Sequence, residues 1–338
     1  MKRFSLIFLG VLAMLFVAGC SKSNPQPSDP DAWVTDLSLP VPIQFGSTSI
    51  LETKAGYESL NDFSSTTFGV FGLAGGGSDS DALLFNEPAT LSNGYLALSG
   101  GTKYYPKDSD KNYTFYAYAP MAATGGLSPV ISLGTQDYVW DSAEATPLNN
   151  ADGVLVNGYN ARYMRTIRQM GVVSSHSPNF DFKHVTSGLK ILAVANVSGQ
   201  DTSSDSDFEN IKITNVTLRN VYKSGTLDVM TGNVTDLKNP GAIALLAGGN
   251  VNPTKAGTPL GEAFPYMEDG SPINLEVLVD SPLGNHTITI PINSMEPGIK
   301  YVYKILFNKP DDVKIAVSGV AWSEEQEMNF DDNGDVIE

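Results

Sequence analysis

The feature that most constrains the fold is an alternation of apolar and polar residues with a period of two. It is clearest over residues 41–45, 288–292, 301–307 and 313–317, and glycine, proline, asparagine and aspartate are concentrated between such segments. Side chains two positions apart lie on the same face of a β-strand, so each segment predicts a strand with one buried face. The pattern predicts an all-β protein, and it favours β-sandwiches over solenoids or propellers.

The length of the chain indicates two domains. Its 338 residues are many for one sandwich, and 41% of them are hydrophobic, which is enough for two cores. The polar segment 174–179 precedes a new run of predicted strands. We therefore predict an N-terminal β-sandwich over residues 33–178 and a C-terminal one over residues 179–338. Residues 113–119 and 189–197 are apolar on both faces and are predicted to be central strands.

The first twenty residues have the organisation of a lipoprotein export signal. Lys2 and Arg3 precede an apolar run over residues 6–18, which has signal-peptide length and is too short to span a bilayer. The run ends in Val-Ala-Gly directly ahead of Cys20, the only cysteine of the chain. We predict a signal peptide over residues 1–19 and a lipid, palmitate included, on Cys20.

The composition beyond the signal excludes several partners. Residues 20–32 contain three prolines and no large apolar side chain, which predicts a tether between the outer membrane and the folded part. The chain has 21 basic and 37 acidic residues, a formal net charge of -16. Nucleic-acid phosphates would repel this charge, so no nucleic-acid partner is predicted. Anionic lipids would repel it as well, so membrane contact is predicted through the acyl chains alone.

The sequence contains few groups that could support catalysis. Its three histidines, His176, His184 and His286, show no metal-ligand spacing, and His184 is predicted to be a hydrogen-bonded structural residue. There is no phosphate loop, dinucleotide fingerprint or hydrolase motif. The segment starting at Asp331 resembles a calcium loop, but its sixth position is Val336 where such a loop requires glycine. We predict that the chain is not an enzyme and has no cofactor and no metal.

Three segments carry strand motifs that a known family also has. They are residues 66–72, TTFGVFG; residues 104–106, YYP, with 113–120, YTFYAYAP; and residues 182–191, FKHVTSGLKI. These segments, with Trp322 after the last predicted strand, follow one another in the order typical of that family. The chain thereby resembles the fimbrillin family, the type V pilins and related lipoproteins of Bacteroidales. The resemblance implies two tandem Greek-key (transthyretin-like) β-sandwich domains.

The resemblance also implies a function. Members of the family are exported as lipoproteins, clipped after a basic residue, and assembled into cell-surface fimbriae by donor-strand exchange with other pilus subunits. The matching bond here joins Lys54 and Ala55. The segment ahead of it has the pattern of a removable edge strand, because Pro42 lacks an amide donor and the apolar residues share one phase. Those apolar residues are Val41, Ile43, Phe45 and Leu51.

Other interpretations stay open from the sequence. A surface lipoprotein that does not polymerise, and instead binds a glycan or a protein, would need an exposed aromatic platform. A hydrolase would need a polar cleft. A clip site ahead of the family motifs and a detachable first strand favour the pilus subunit. The surface ligand to which such a subunit adheres is not predicted.

Overall fold

The structure is a computed structural model that describes residues 43–46, 48–50, 63–74, 82–105, 113–145, 155–156, 159–160, 178–195, 208–268, 270–309, 312–321, 329–330 and 336–337. Within these residues the chain forms β-strands and no α-helix, which confirms the prediction of an all-β protein. The described part accordingly contains no helix that could cross a membrane.

The strands, in chain order, are β1 Thr48–Ile50, β2 Thr67–Ala74, β3 Ala82–Ser92, β4 Tyr95–Leu98, β5 Tyr113–Ala119, β6 Val130–Ser132, β7 Val139–Ala145, β8 Leu155–Val156, β9 Tyr159–Asn160, β10 Phe180–His184, β11 Gly188–Ala195, β12 Lys212–Val221, β13 Ser224–Leu227, β14 Val234–Lys238, β15 Gly241–Val251, β16 Thr258–Ala263, β17 Ile273–Ser281, β18 Gly284–Ile292, β19 Ile299–Lys309, β20 Asp312–Ala321, β21 Asn329–Phe330 and β22 Val336–Ile337.

The first half of the chain builds a seven-stranded sheet in the order β1-β10-β7-β5-β2-β3-β4. All its strand pairs are antiparallel except β1 with β10. Asn93 and Gly94 both have positive φ, 51° and 79°, which is the backbone of the tight hairpin turn that Asn-Gly favours between β3 and β4. The amide of Thr48 in β1 donates to the carbonyl of Gly94 at 2.8 Å. The two ends of the sheet therefore meet, and the sheet encloses an aromatic-rich core.

The second half forms a sandwich of two four-stranded sheets, β16-β11-β19-β20 and β15-β12-β17-β18. Alternate residues of β11, β12, β17 and β19 are buried between them, as the period-two pattern predicts. The predicted strands 288–292 and 301–307 lie within β18 and β19. The two segments that are apolar on both faces are central, since β5 lies between β7 and β2, and β11 between β16 and β19. The tandem Greek-key arrangement stays a prediction.

The two halves share hydrogen bonds and a core. β6 of the first half pairs with β13 in a small sheet of order β14-β13-β6. Gly134 and Phe264 exchange two main-chain hydrogen bonds of 2.9 Å, and the indole of Trp140 donates to the carbonyl of Val229 at 2.7 Å. The predicted boundary between residues 178 and 179 stays a prediction, and hydrogen bonding crosses it because β10 pairs with β7.

Candidate strand-docking site

The segment 43–50 runs between the two ends of the seven-stranded sheet. Ile43 and Phe45 are 5% and 6% exposed and belong to the core of that sheet, whereas Gln44 between them is exposed. This is the alternation that the sequence predicted. The other residues predicted for this site and for processing, Cys20, Val41, Leu51, Lys54 and Ala55, lie outside the described residues.

Aromatic rings hold Phe45 in place. Its ring meets that of Phe115 edge-on, with 5.4 Å between centroids and 81° between planes. On another side its ring packs against that of Phe180 in β10, with 5.4 Å between the ring centroids. The ring of Phe180 stacks in turn on that of Phe182, with 5.5 Å between centroids. Offset and edge-to-face aromatic pairs are worth about 0.5 to 1.5 kcal/mol beyond the burial of their area. Phe45 is thus the main anchor of the segment.

The main chain of the segment takes its hydrogen-bond partners from separate parts of the sheet. The amide of Ile43 donates to the carbonyl of Lys103 at 2.8 Å, and that of Gly46 to the carbonyl of Pro178 at 3.0 Å. The regular strand is β1 alone, which pairs parallel with β10 and is the terminal strand of the sheet. The strand is therefore shorter than the pattern over residues 41–51 predicts, because the segment changes partners as it crosses between the two sheet ends.

A polar chain connects β1 to the neighbouring strands on the solvent side. The hydroxyl of Ser49 donates to a carboxylate oxygen of Asp181, and the amide of Asp181 donates to a carboxylate oxygen of Asp141 at 2.6 Å. Burial raises the pKa of the Asp141 carboxyl, and the hydrogen bond from Asp181 opposes this effect. Exposed contacts of this kind contribute little to stability, so the apolar side chains carry most of the docking energy.

A groove of about 420 Å³ runs beside the segment. It is open to solvent, and β4, the terminal strand at the other end of the sheet, forms its far wall. Tyr95, which is 50% exposed, stands at its edge. The residues that line it are Ile43, Gln44, Phe45, Tyr95, Leu96, Ala97, Leu98, Gly101 and Thr102. Loss of the segment would therefore widen a groove that already lies beside the outer edge of a terminal strand.

The sequence did not reveal the residues that receive the segment. The carbonyls of Gly94, Lys103 and Pro178 act through the main chain, which leaves no trace in residue type. The aromatic residues of β10 were detectable in the sequence, since Phe180 and Phe182 are both apolar and two positions apart. The described residues contain no group of three or more metal-binding side chains, and the geometry here is that of strand and side-chain docking.

The sequence profile of the fimbrillin-like family matches residues 53–322, which is most of the chain. The chain belongs to the fimbrillin-like family. The match begins at residue 53, after the docked segment 43–50 and next to the predicted clip at Lys54. Because the fimbrillin-like family is structural and non-enzymatic, the chain is not an enzyme, as the sequence predicted. No curated protein matches the chain significantly in sequence.

Solved structures from two Bacteroides species share the fold of this fimbrillin-like chain. One from Bacteroides uniformis, a protein assigned to cell adhesion, is 18% identical with a TM-score of 0.52, over 84% of this chain and 98% of the other. A second of the same assignment, from Bacteroides ovatus, is 15% identical with a TM-score of 0.50, over 85% and 100%. A fimbrial assembly protein from Parabacteroides distasonis is 10% identical with a TM-score of 0.48, over 84% and 98%.

Proposed function

We propose that the chain is a subunit of a cell-surface fimbrium that is exported as a lipoprotein, clipped after Lys54, and assembled by donor-strand exchange. The observation that carries this proposal is the docking of residues 43–50, which precede the family domain in sequence and yet fill its core through Ile43 and Phe45. A clip at Lys54 would cut the only covalent link between that segment and the rest of the domain.

The energetics fit an exchange of strands. Burial of Ile43 and Phe45 is worth about 1.5 to 3 kcal/mol each, which is a large share of a domain stability of about 5 to 15 kcal/mol. An emptied groove would expose their pockets and the unpaired edge of β10, so a replacement strand is needed to prevent aggregation. That strand must present large apolar side chains two positions apart, at the spacing of Ile43 and Phe45.

Lipidation of Cys20 gives a first prediction. Cys20→Ala is expected to abolish incorporation of labelled fatty acid, because the chain has no other thiol and the lipid is attached through it. The variant should also leave the detergent phase in a partition assay. A variant that keeps both the label and the partitioning would place the anchor elsewhere.

The clip gives a second prediction, which tests the proposed function as a whole. Limited trypsin treatment of the mature protein is expected to produce a chain that starts at Ala55 and then forms a ladder of SDS-resistant oligomers. Lys54→Gln should stay uncut at this bond and monomeric, because the segment 43–50 remains tethered in its groove. N-terminal sequencing and gel electrophoresis measure both outcomes.

Lys238→Gln is the matched control for the clip. Lys238 is an exposed lysine in β14, far along the chain from the groove, so its loss should change neither the new N-terminus nor the ladder. Wild-type protein that is cut at Lys54, stays folded and forms no oligomers, alone or with co-expressed subunits, would contradict the strand exchange. That result would favour a surface lipoprotein that binds its ligand without polymerising.

A further inference from the structure

The outer face of the sheet β16-β11-β19-β20 is mixed basic and aliphatic. The strand register places Lys190 beside Val302, Leu192 beside Lys304, and Val194 beside Leu306, all on the side away from the sandwich core. These side chains are half-buried. A row of aliphatic side chains between lysine stems is a surface that an apolar segment with negative charges can cover.

The charge of this face is opposite to that of the protein. Lys190 and the buried Lys300 both lie near the carboxylate of Glu262, at 3.6 and 3.9 Å, and Lys304 lies on the same side of β19. Among the outward positions of β11, β16 and β19 that the structure describes, the lysines outnumber the carboxylates. In a chain of formal net charge -16, such a face attracts acidic partners.

The C-terminal tail has the complementary composition. Residues 323–338 contain no lysine or arginine, and their acidic residues are Glu324, Glu325, Glu327, Asp331, Asp332, Asp335 and Glu338. Within the tail, β21 pairs antiparallel with β22 and places Phe330 opposite Val336. The tail also contains the apolar residues Met328 and Ile337. The tail therefore combines several apolar residues with a high density of negative charge.

The tail also starts close enough to the basic face to reach it. β20 is the terminal strand of the basic sheet, and its last residue, Ala321, pairs with Ile299 next to Lys300. Residues 322–328, which connect β20 to β21, can extend over at most about 25 Å. The distance from β20 across the sheet to β16 is three strand spacings, or about 14 Å. The connection is thus long enough for β21 and β22 to reach any strand of the sheet.

We propose that the acidic tail, residues 323–338, docks in cis on the outer face of the sheet β16-β11-β19-β20, with its carboxylates against Lys190 and Lys304 and its apolar residues on Leu192 and Leu306. The docked tail covers the aliphatic row and neutralises the lysines. A tail held in this way is not available as a free strand for another subunit.

Carbodiimide cross-linking of the mature full-length chain tests the docking, because the reagent joins lysine amines only to carboxylates in direct contact. A mixture of unlabelled and ¹⁵N-labelled protein at low concentration distinguishes links within a chain from links between chains. We expect links from Lys190 or Lys304 to tail carboxylates, with both peptides from the same chain. The link between Lys190 and Glu262, 3.6 Å apart, is the internal positive control.

Variants give a second readout, the rate at which Glu-specific protease removes the tail. Lys190→Glu with Lys304→Glu should accelerate this cleavage about tenfold, as should 0.5 M salt, which screens surface charge. Lys238→Glu, on β14, should have no effect. A variant with Glu324, Glu325 and Glu327 each changed to Gln leaves the sheet intact and should reduce the cross-links between the face and the tail.

Three results would overturn the proposal. The first is the Lys190–Glu262 link without any link to the tail, and the second is tail links only between differently labelled chains, which would mean docking in trans. The third is a cleavage rate that the charge reversal leaves unchanged. Neither readout requires a cut at Lys54, so failure of the tail docking would leave the proposed strand exchange standing.

Discussion

Phe45→Ala in the uncut chain is expected to lower the free energy of unfolding by about 3 to 5 kcal/mol. Phe45 is 6% exposed and packs on Phe115 and Phe180, so its truncation leaves a cavity between the segment 43–50 and the sheet. The cavity cannot close easily, because β10 and the segment are both held by main-chain hydrogen bonds. Equilibrium urea denaturation of wild type and variant measures the difference.

Gln44→Ala is the matched control, since Gln44 is the exposed neighbour of Phe45 and its truncation should change stability by less than about 0.5 kcal/mol. The same pair of variants also reports on the proposed exchange. In protein that has been clipped and has formed oligomers, the segment 43–50 has left, so Phe45→Ala should no longer affect stability. Oligomers that are still destabilised by Phe45→Ala would show that the segment stays in its groove.

The sequence predicted strands and their buried faces well, because the side-chain alternation of a strand is a local property. Ile43 and Phe45 point into the core, Gln44 points out, and β5 and β11 are central. The buried and exposed positions follow from residues two positions apart, and the central strands follow from segments that are apolar on both faces. The prediction of a hydrogen-bonded structural His184 is confirmed too, since its Nδ1 lies 2.8 Å from a carboxylate oxygen of Asp137.

Strand partners were not predictable from the same pattern. Thr48 pairs with Phe180, which is more than a hundred positions away, and alternation alone does not say which strand lies beside which. The acceptors Gly94, Lys103 and Pro178 are carbonyl oxygens, which every residue has. The role of Asp137 could not be predicted from the sequence either, because it depends on a contact with β10, a strand that the sequence assigned to the other domain.

Asp137 lies at the centre of the buried connection between the two halves. It is 0% exposed, and its two carboxylate oxygens accept hydrogen bonds from His184 Nδ1 at 2.8 Å and Thr186 Oγ1 at 3.0 Å. The same connection is held by main-chain hydrogen bonds from Val185 to Tyr138 and from Ser187 to Pro265. Residues 185–187 thus form a buried, hydrogen-bonded joint between β10 and β11.

Asp137→Ala is expected to destabilise the protein by about 3 to 5 kcal/mol, because it leaves buried donors on His184 and Thr186 without their acceptor. Asp137→Asn keeps one carbonyl oxygen as an acceptor and should cost less. Asp280→Ala, at an exposed position of β17, should be almost neutral. Urea denaturation followed separately by tryptophan fluorescence and by circular dichroism measures these changes.

The same two signals test whether the halves are coupled through residues 185–187. If they are, Asp137→Ala weakens the joint between them, and the fluorescence and circular dichroism transitions should no longer occur at the same urea concentration. A stability of Asp137→Ala equal to that of Asp280→Ala would mean that the joint gains nothing from the carboxylate.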